Sequence, residues 1–537
     1  MAVVRLSRTA VALFLSIALG LTLYLPLGPA VGGTGAAADP SGDPRSLQAK
    51  QVLADVQALL DGLTPQPSAD PLEDGRSLTL ALRDLRVLKE ALPAAEQTEA
   101  EQILMRPGQP GDDYITQPLP LVRCAAVICV HYTERGNHAP RGSDGDPATT
   151  PSYIRKVRRT LQHVNDKYVA AGYRRPKADG GRGGQTDKVD VYIGDIGNEG
   201  LYGYCTSDDP NNPRQTGDYS VWAYCTLDDD YAAGEFPTNT PLENMRVTAA
   251  HEYFHAVQFG YDAYEDGWIL ESTATWAEDE LFDKVNDNRN YLADSPLSAP
   301  RKSLDRFGGL YHYGAWIWWR YLTEEFQHET GGLPDLVLDV WRKLDGTPGA
   351  PNLYSTRGLA RVLVQRETRL KREFALFSAA NRHPASAYSE GGSRAYRPAA
   401  PAASVAVGPG ARNPDAIDVR RNHLSSATVR FTPRETDQDD WRLRLALDLP
   451  RPARGSAAVV LLFKQGGGVR TEVVDLDATG AARTSVPFST GAVRRVEVVL
   501  VNASTRFDCW KRTPFSCQGE PLDDDRRLTV DARAFRR

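Results

Sequence analysis

His251-Glu252-Tyr253-Phe254-His255 is the stretch that decides how this chain is interpreted. Residues four apart lie one turn apart on the same face of a helix, so this spacing places two imidazoles side by side. Paired imidazoles are common zinc ligands, and a glutamate beside the first histidine can act as a general base. The alternative is two core histidines bonded to backbone carbonyls. That alternative would leave Glu252 as a costly buried charge.

The flanking residues predict a helix around this motif. Thr240-Pro241-Leu242-Glu243 has the form of a capping box with proline at the first helical position. No glycine or proline interrupts residues 244–259, and Gly260 is expected to end the helix. The histidines are therefore expected near the C-terminal end of a buried helix.

A third metal ligand is expected on the following helix. The segment from Trp268 to Glu278 has helical composition, and its small alanines allow it to pack closely against the first helix. That packing would bring Glu271 to the metal. Glu278, two turns later, is expected near the same face, where it can hold a ligand in place. The sequence thus predicts a zinc site made by His251, His255 and Glu271. In the alternative, Glu271 is a surface residue.

These residues carry a resemblance to a known family. H-E-x-x-H followed by Glu271-x-x-Ala274 resembles the gluzincins, zinc metallopeptidases that bind the metal with two histidines and a glutamate. The string TAAHEYFHAVQFGYDAYEDGWILESTATWAEDE is similar to secreted bacterial metalloproteases of that clan, most closely over roughly residues 240–330. The resemblance implies a zincin-like catalytic domain, Zn²⁺ as cofactor and Glu252 as catalytic base.

The resemblance also implies a hydrogen-bond donor to the oxyanion of the reaction intermediate. Gluzincins often supply a tyrosine or a histidine for this role. Tyr313 is the first candidate, with Tyr311 and His312 behind it. The alternative is that all three side chains only pack the wall of the cleft.

The N-terminus has the pattern of an export signal. Arg5 and Arg8 precede an apolar run, and Ala36-Ala37-Ala38 fits a cleavage site, so residues 1–38 are expected to be a signal peptide. An uncleaved membrane anchor is the alternative. A secreted mature chain without a membrane span is therefore predicted.

The net charge of −6, without a basic stripe, makes nucleic acid an unexpected partner. The oligomeric state stays open.

The six cysteines agree with export, because they fall into neighbouring pairs that an oxidising compartment would join. Connectivity does not follow from sequence alone, and free buried cysteines are the alternative. Pairing by proximity predicts the disulfides Cys124–Cys129, Cys205–Cys225 and Cys509–Cys517.

The pattern along the chain predicts an α+β protein of several parts. Helical periodicity comes first, mixed strands and helices follow, and short strands separated by turns end the chain. The expected parts are a helical N-terminal region at 39–115 (a propeptide, a packing subdomain or both), a zincin-like catalytic domain at 116–390, a linker at 391–415, and an antiparallel β-sandwich of about seven strands at 416–537.

Two acidic loops are candidates for calcium. Asp208-Asp209 lies shortly after Cys205, and Asp228-Asp229-Asp230 lies shortly after Cys225. Clustered carboxylates on loops can hold Ca²⁺. Acidic loops are also often simply solvated.

The expected function is a secreted zinc metalloendopeptidase that acts on a protein or peptide substrate. The main alternative is a surface or adhesion protein with a vestigial, non-catalytic zinc site. An exopeptidase is a third possibility, but the Gly-x-Met-Glu-Asn-type segment of that clan's aminopeptidases is not found in this chain.

Overall fold

The structure is a computed structural model that describes residues 43–61, 78–112, 114–184, 186–409, 415–509 and 519–537. The predicted signal peptide at 1–38 lies outside the described residues. Helices and several sheets make an α+β fold, and the C-terminal part is a β-sandwich. No helix among the described residues is both long and apolar enough to cross a bilayer.

Three helices lie in the N-terminal region, which the sequence predicts to be helical. Their leucines pack against each other and against one face of the first sheet, where Tyr192, Tyr204 and Tyr224 meet them. The helices are α1 (Pro44–Leu60), α2 (Leu78–Leu88) and α3 (Ala94–Ile103).

A five-stranded sheet follows, in the order β1-β2-β3-β5-β4. Its three central strands are parallel, and both edge strands are antiparallel to their neighbours. Strands β4 and β5, which carry Cys205 and Cys225, pair with each other. The strands are β1 (Leu121–Cys124), β2 (Ile128–Tyr132), β3 (Val189–Gly194), β4 (Gly203–Thr206) and β5 (Tyr224–Asp228).

Both faces of this sheet are buried. Val191 and Ile193 belong to the main core, whereas Tyr192 between them faces the N-terminal helices. Most of the helices between residues 152 and 387 contribute to the main core, and two very short strands lie among them. The helices are α4 (Ser152–Ala170), α5 (Pro213–Thr216), α6 (Pro241–Asp262), α7 (Gly267–Phe282), α8 (Tyr311–Gly314), α9 (Trp316–Glu325), α10 (Asp335–Leu344), α11 (Thr356–Gln365), α12 (Leu370–Ala380) and α13 (Pro384–Ala387), with the two-residue strands β6 (Glu329–Thr330) and β7 (Leu333–Pro334).

The C-terminal sandwich has one five-stranded and one four-stranded sheet, with orders β13-β12-β15-β10-β8 and β14-β11-β18-β9. The nine strands exceed the seven expected. One of them, β8, lies inside the predicted linker at 391–415 and pairs in parallel with β10. The nine strands are β8 (Ala403–Val407), β9 (Ile417–Arg421), β10 (Ser425–Pro433), β11 (Trp441–Asp448), β12 (Ser456–Lys464), β13 (Val469–Val473), β14 (Ala481–Pro487), β15 (Val493–Asn502) and β18 (Arg526–Arg536). Strands β16 (Phe507–Cys509) and β17 (Gly519–Pro521) form a separate two-stranded sheet.

The sandwich is joined to the catalytic region through an apolar contact. Val459, Leu461 and Phe463 of β12 belong to the main core, whereas alternate residues of the same strand fill the sandwich. At the edge of this contact, Arg382 donates to buried Glu497 with Nε–Oε2 at 2.9 Å. Within the five-stranded sheet of the sandwich, strand β12 is therefore buried on both faces.

Candidate metal centre

The helix that carries the motif begins as predicted and ends later. The Thr240 hydroxyl accepts from the Glu243 N–H, and Glu243 accepts from the Thr240 N–H, so the capping box is present. The expected stop at Gly260 is wrong, because α6 continues to Asp262. The last turn is held by tertiary contacts, such as the Arg174 N–H that donates to the Tyr261 hydroxyl at 3.1 Å. Such packing outweighs the poor helix propensity of glycine.

The fold brings the three predicted metal ligands together. His251 and His255 lie on α6 and Glu271 lies on α7, which packs against α6. Glu271 Oε2 is 3.1 Å from His251 Nε2 and 3.6 Å from His255 Nε2. One ligand atom from each residue lies within 4.8 Å of the others. All three side chains are buried.

Hydrogen bonds behind the histidines orient both rings. His251 Nδ1 donates to Glu278 Oε1 at 2.6 Å, as expected for a residue that holds a ligand in place. His255 Nδ1 donates to Gln258 Oε1 at 2.7 Å. The Gln258 amide is itself oriented, since its nitrogen donates to the Leu270 carbonyl at 2.9 Å. With Nδ1 donating in this way, the Nε2 atom of each ring faces Glu271 and would be the atom that binds a metal ion.

The donor set fits a bound zinc ion. His255 Nε2 and Glu271 Oε1 are buried, and no hydrogen-bond partner contacts either atom within the described residues. Each Nε2 lies 3.1–3.6 Å from Glu271 Oε2, and this approach is stable only when a cation, either a metal ion or a proton on the ring, lies between the two atoms. Two imidazole nitrogens and one carboxylate are the protein ligands typical of a catalytic zinc site.

The electrostatics of the site also favour a cation. Burial disfavours a charged His251, but the hydrogen bonds and charges of Glu271 and Glu278 outweigh burial and raise the pKa of His251 to about 10. Burial would likewise raise the pKa of Glu271, but the two histidines outweigh it and hold that pKa far below its usual range. The carboxylates therefore create a negative environment around the histidines.

Glu252 lies beside the ligands and faces a side chain of the N-terminal region. Burial raises its pKa above the usual range for glutamate. Its Oε2 accepts a hydrogen bond of 3.1 Å from the hydroxyl of Thr79 in α2. Edge strand β4 passes directly over it, because a Cβ on Gly203 would lie 3.1 Å from Glu252 Cγ and 2.8 Å from Thr248 Cγ2. Glycine at this position allows the close approach.

The three candidates for the oxyanion donor are buried near the site in different environments. Tyr311 is engaged elsewhere, since its hydroxyl donates to the Lys302 carbonyl at 3.1 Å. The ring of Tyr313 lies 6.1 Å from that of His251. His312 Nδ1 accepts from the Gly308 N–H at 3.1 Å, and burial lowers the pKa of His312 to about 4. His312 is thus neutral with its proton on Nε2, a donor without a partner within the described residues.

Two residues of this site were missed by the sequence analysis. Gln258 follows His255 by three positions, and that helical spacing is a usable signal. Thr79 has no such signal, because 173 residues separate it from Glu252.

Two of the three predicted disulfides are present: Cys124–Cys129 and Cys205–Cys225. The third, Cys509–Cys517, is not tested, because Cys517 lies outside the described residues. The Cys205 and Cys225 sulfurs lie 2.9 Å and 3.7 Å from the Glu252 carbonyl oxygen. This disulfide therefore directly contacts α6, the helix that carries His251 and His255.

Replacing Cys205 and Cys225 with serine together is expected to lower thermal stability and catalytic activity. The disulfide spans 20 residues, and closing such a loop contributes roughly 3 kcal/mol in the chain-entropy model. Melting temperature and casein hydrolysis measure the two effects. The matched control is the Cys124→Ser, Cys129→Ser pair, whose disulfide lies at the opposite edge of the sheet. Equal losses of activity in both pairs would contradict a local effect on the site.

The two acidic loops differ in their surroundings. Asp208 and Asp209 already face cations of the protein, since Asp208 contacts Arg106 at 2.9 Å and Asp209 contacts Lys177 at 3.3 Å. The second loop gathers carboxylates that lie close to one another. The groups identified there are Asp195, Asp228 and Asp229, and Asp228, Asp230 and Glu235. Calcium binding stays a prediction, and this second loop is the place to test it.

Thermal stability is expected to fall as the pH rises from 5 to 8. Burial is the main cause that raises the pKa of Asp228 to about 6, of Asp229 to about 8 and of Glu235 to about 7. A carboxyl with a raised pKa in the folded state stabilises the fold at low pH, and that stability is lost as pH rises towards the folded-state pKa. Melting temperatures with chelator test this, and Asp229→Asn is expected to flatten the profile. Added calcium should raise the melting temperature at pH 8 and not at pH 5 if the loop binds calcium.

Comparisons with known proteins do not identify the chain. No family model and no curated protein matches it. The solved pre-peptidase C-terminal domain of collagenase from Bacillus anthracis aligns with 25% of this chain and 97% of that domain, at 8% identity and a TM-score of 0.15. A family GH115 4-O-methyl-alpha-glucuronidase with specificity for decorated arabinogalactans aligns with 54% of this chain and 38% of its own length, at 9% identity and a TM-score of 0.14. Scores this low carry no argument about fold or function.

Proposed function

We propose that this chain is a secreted zinc metalloendopeptidase with a zincin-like catalytic domain at residues 116–390. The observation that carries the proposal is the convergence of two oriented Nε2 atoms on Glu271, with both Nδ1 atoms held by Glu278 and Gln258. Such a set leaves a fourth coordination position open for a reacting group.

The residues of the site have distinct roles in this proposal. His251, His255 and Glu271 would hold zinc, and Glu278 and Gln258 orient the two histidines. When bound, zinc supplies a Lewis acid that polarises the peptide carbonyl and acidifies water.

Glu252 has the position and environment of a general base. It lies one residue from His251 on the same helix, in the same buried site. Its carboxylate takes the proton of the attacking water and transfers it to the leaving amine. Burial raises its pKa, which makes the carboxylate a stronger base towards the attacking water.

Tyr313→Phe is expected to lower kcat about 100-fold with little change in KM, because a donor to the oxyanion acts mainly in the transition state. Steady-state kinetics on a peptide substrate measure the effect. His312→Gln is the comparison, since His312 Nε2 is the competing donor. Full activity in Tyr313→Phe together with a large loss in His312→Gln would transfer the role to His312.

A non-catalytic surface or adhesion protein is the alternative. Glu252 argues against it, because a metal site that only binds has no need for a buried carboxylate beside its ligands. Burying that carboxylate is unfavourable, and a site that only binds metal would be more stable without it.

The experiment that tests the proposed function combines metal content with hydrolysis. Purified full-length protein should contain about one zinc per chain and cleave unfolded casein. Chelation should abolish cleavage, and zinc rather than calcium should restore it. Bound zinc without any cleavage, under conditions that open the site, would favour the non-catalytic alternative.

A further inference from the structure

We propose that helix α2 (Leu78–Leu88) occupies the groove in which this site would bind its substrate. The inference rests on the proposed function and adds to it the place and the control of binding. It follows from four features: the outer edge of β4, the hydroxyl of Thr79, the cavities beside α2, and the arginines that hold α2 in place.

The edge of the first sheet offers a place for an added strand. Strand β4 is the last strand of that sheet. Cys205 lies directly opposite Cys225 with a Cα–Cα distance of 4.0 Å, the close spacing of a non-hydrogen-bonded antiparallel pair. The N–H of Cys205 therefore points away from the sheet. An extended peptide that adds to an edge uses outward groups of this kind.

One hydroxyl of α2 forms hydrogen bonds with both the edge strand β4 and Glu252. The Cys205 N–H donates to Thr79 Oγ1 at 2.9 Å, and the same hydroxyl donates to Glu252 Oε2 at 3.1 Å. Its neighbour Leu80 reaches the first residue of α7, where a Cβ on Gly267 would lie 3.2 Å from Leu80 Cδ1. The first turn of α2 thus lies between the sheet edge and the helix that carries Glu271. A bound substrate would need this space.

Two cavities lie beside α2 and away from the metal ligands. The larger, of about 820 Å³, is lined by Arg83 and Asp84 of α2, and the second, of about 570 Å³, by Arg86 and Glu90. Tyr264 lines both cavities. Helix α2 therefore lies between the two cavities, and its displacement would join them; residues of the C-terminal part, such as His423 and Phe507, also line the larger one. Each cavity has the volume of an ordinary ligand site.

The attachment of α2 to the catalytic region is partly polar, so it can be weakened by substitution. Arg83 Nη1 donates to the Glu265 carbonyl at 2.8 Å. Arg86 donates to the carbonyls of Asp209 and Asn211 at 2.5 Å and 3.1 Å. These charge-assisted hydrogen bonds reach loops of the catalytic region and touch none of the proposed zinc ligands.

The test weakens this attachment in the full chain. Arg83→Ala with Arg86→Ala is made in a Glu252→Gln background, so that casein can bind without being cleaved. Binding of fluorescein-labelled unfolded casein is expected to rise about five- to tenfold, because losing charged hydrogen bonds shifts the population towards the open groove. Amide exchange at Cys205 is expected to speed up in parallel. Arg158→Ala on α4 is the matched control and should change neither measurement.

The outcomes are distinct. Faster exchange at Cys205 without more bound casein would overturn the groove assignment. Unchanged exchange and unchanged binding would show that α2 is a fixed part of the fold, and would also overturn it. Thr79→Val removes only the bridging hydroxyl and should raise binding in the same direction, which protects the test against misfolding of the double variant. Increased casein binding in the Glu252→Gln background, together with no cleavage by the zinc-containing Arg83→Ala, Arg86→Ala variant that keeps Glu252, would refute the proposed function and leave this inference standing.

Discussion

Glu252→Gln is expected to lower casein hydrolysis by about 10²- to 10⁴-fold, the usual contribution of a general base. The amide is nearly the same size and can still accept the hydrogen bond from Thr79, so the packing around it is preserved. It cannot accept a proton from water at neutral pH. Initial rates on unfolded casein and zinc content per chain are the two measurements.

The matched control for this variant is Glu243→Gln at the start of the same helix. Glutamine can replace glutamate in a capping box, so α6 should form normally and activity should persist. Activity in Glu252→Gln equal to that of the Glu243→Gln control would remove Glu252 from the mechanism and favour the non-catalytic alternative.

Alanine at His251, His255 or Glu271 is expected to cause loss of both bound zinc and activity, and to lower the free energy of unfolding. Removing a histidine leaves the carboxylate of Glu271 buried without its partner, and breaking a buried charge pair costs about 3–5 kcal/mol. Zinc measured per folded chain, together with denaturant unfolding, separates the two effects.

His163→Ala provides the control for these variants, because it removes an exposed histidine of α4. It should keep its zinc and its stability. If all three site variants still bind one zinc tightly, the metal is held elsewhere and the ligand assignment is wrong.

The site was predictable from sequence to the extent that it is local. The spacing of His251 and His255 sets their common face, and one turn between two helices suffices to bring Glu271 back to them. Gln258 could have been found by the same helical spacing. Thr79 could not, since its contact with Glu252 depends on how separate parts of the fold pack.

Contacts between distant residues also explain where the observed fold differs from the predicted one. Local propensity marks Gly260 as a stop, but contacts from residues before β3 hold the helix together beyond it. An Ala- and Pro-rich composition favours a linker at 391–415, yet β8 gains backbone hydrogen bonds from β10 that composition does not reveal. In both places, contacts between distant parts of the chain decided the outcome.

The double burial of strand β12 in the sandwich bears on how this protein can be divided or recombined. A binding module that evolution shuffles between enzymes keeps a polar outer surface, whereas β12 directs Val459, Leu461 and Phe463 into its neighbour. Burying each such side chain contributes about 1.5–3 kcal/mol. A truncation before residue 415 would expose a matching apolar surface on each fragment, so both halves are expected to aggregate when expressed alone. The sandwich and the region of residues 116–390 are therefore expected to fold only as one unit.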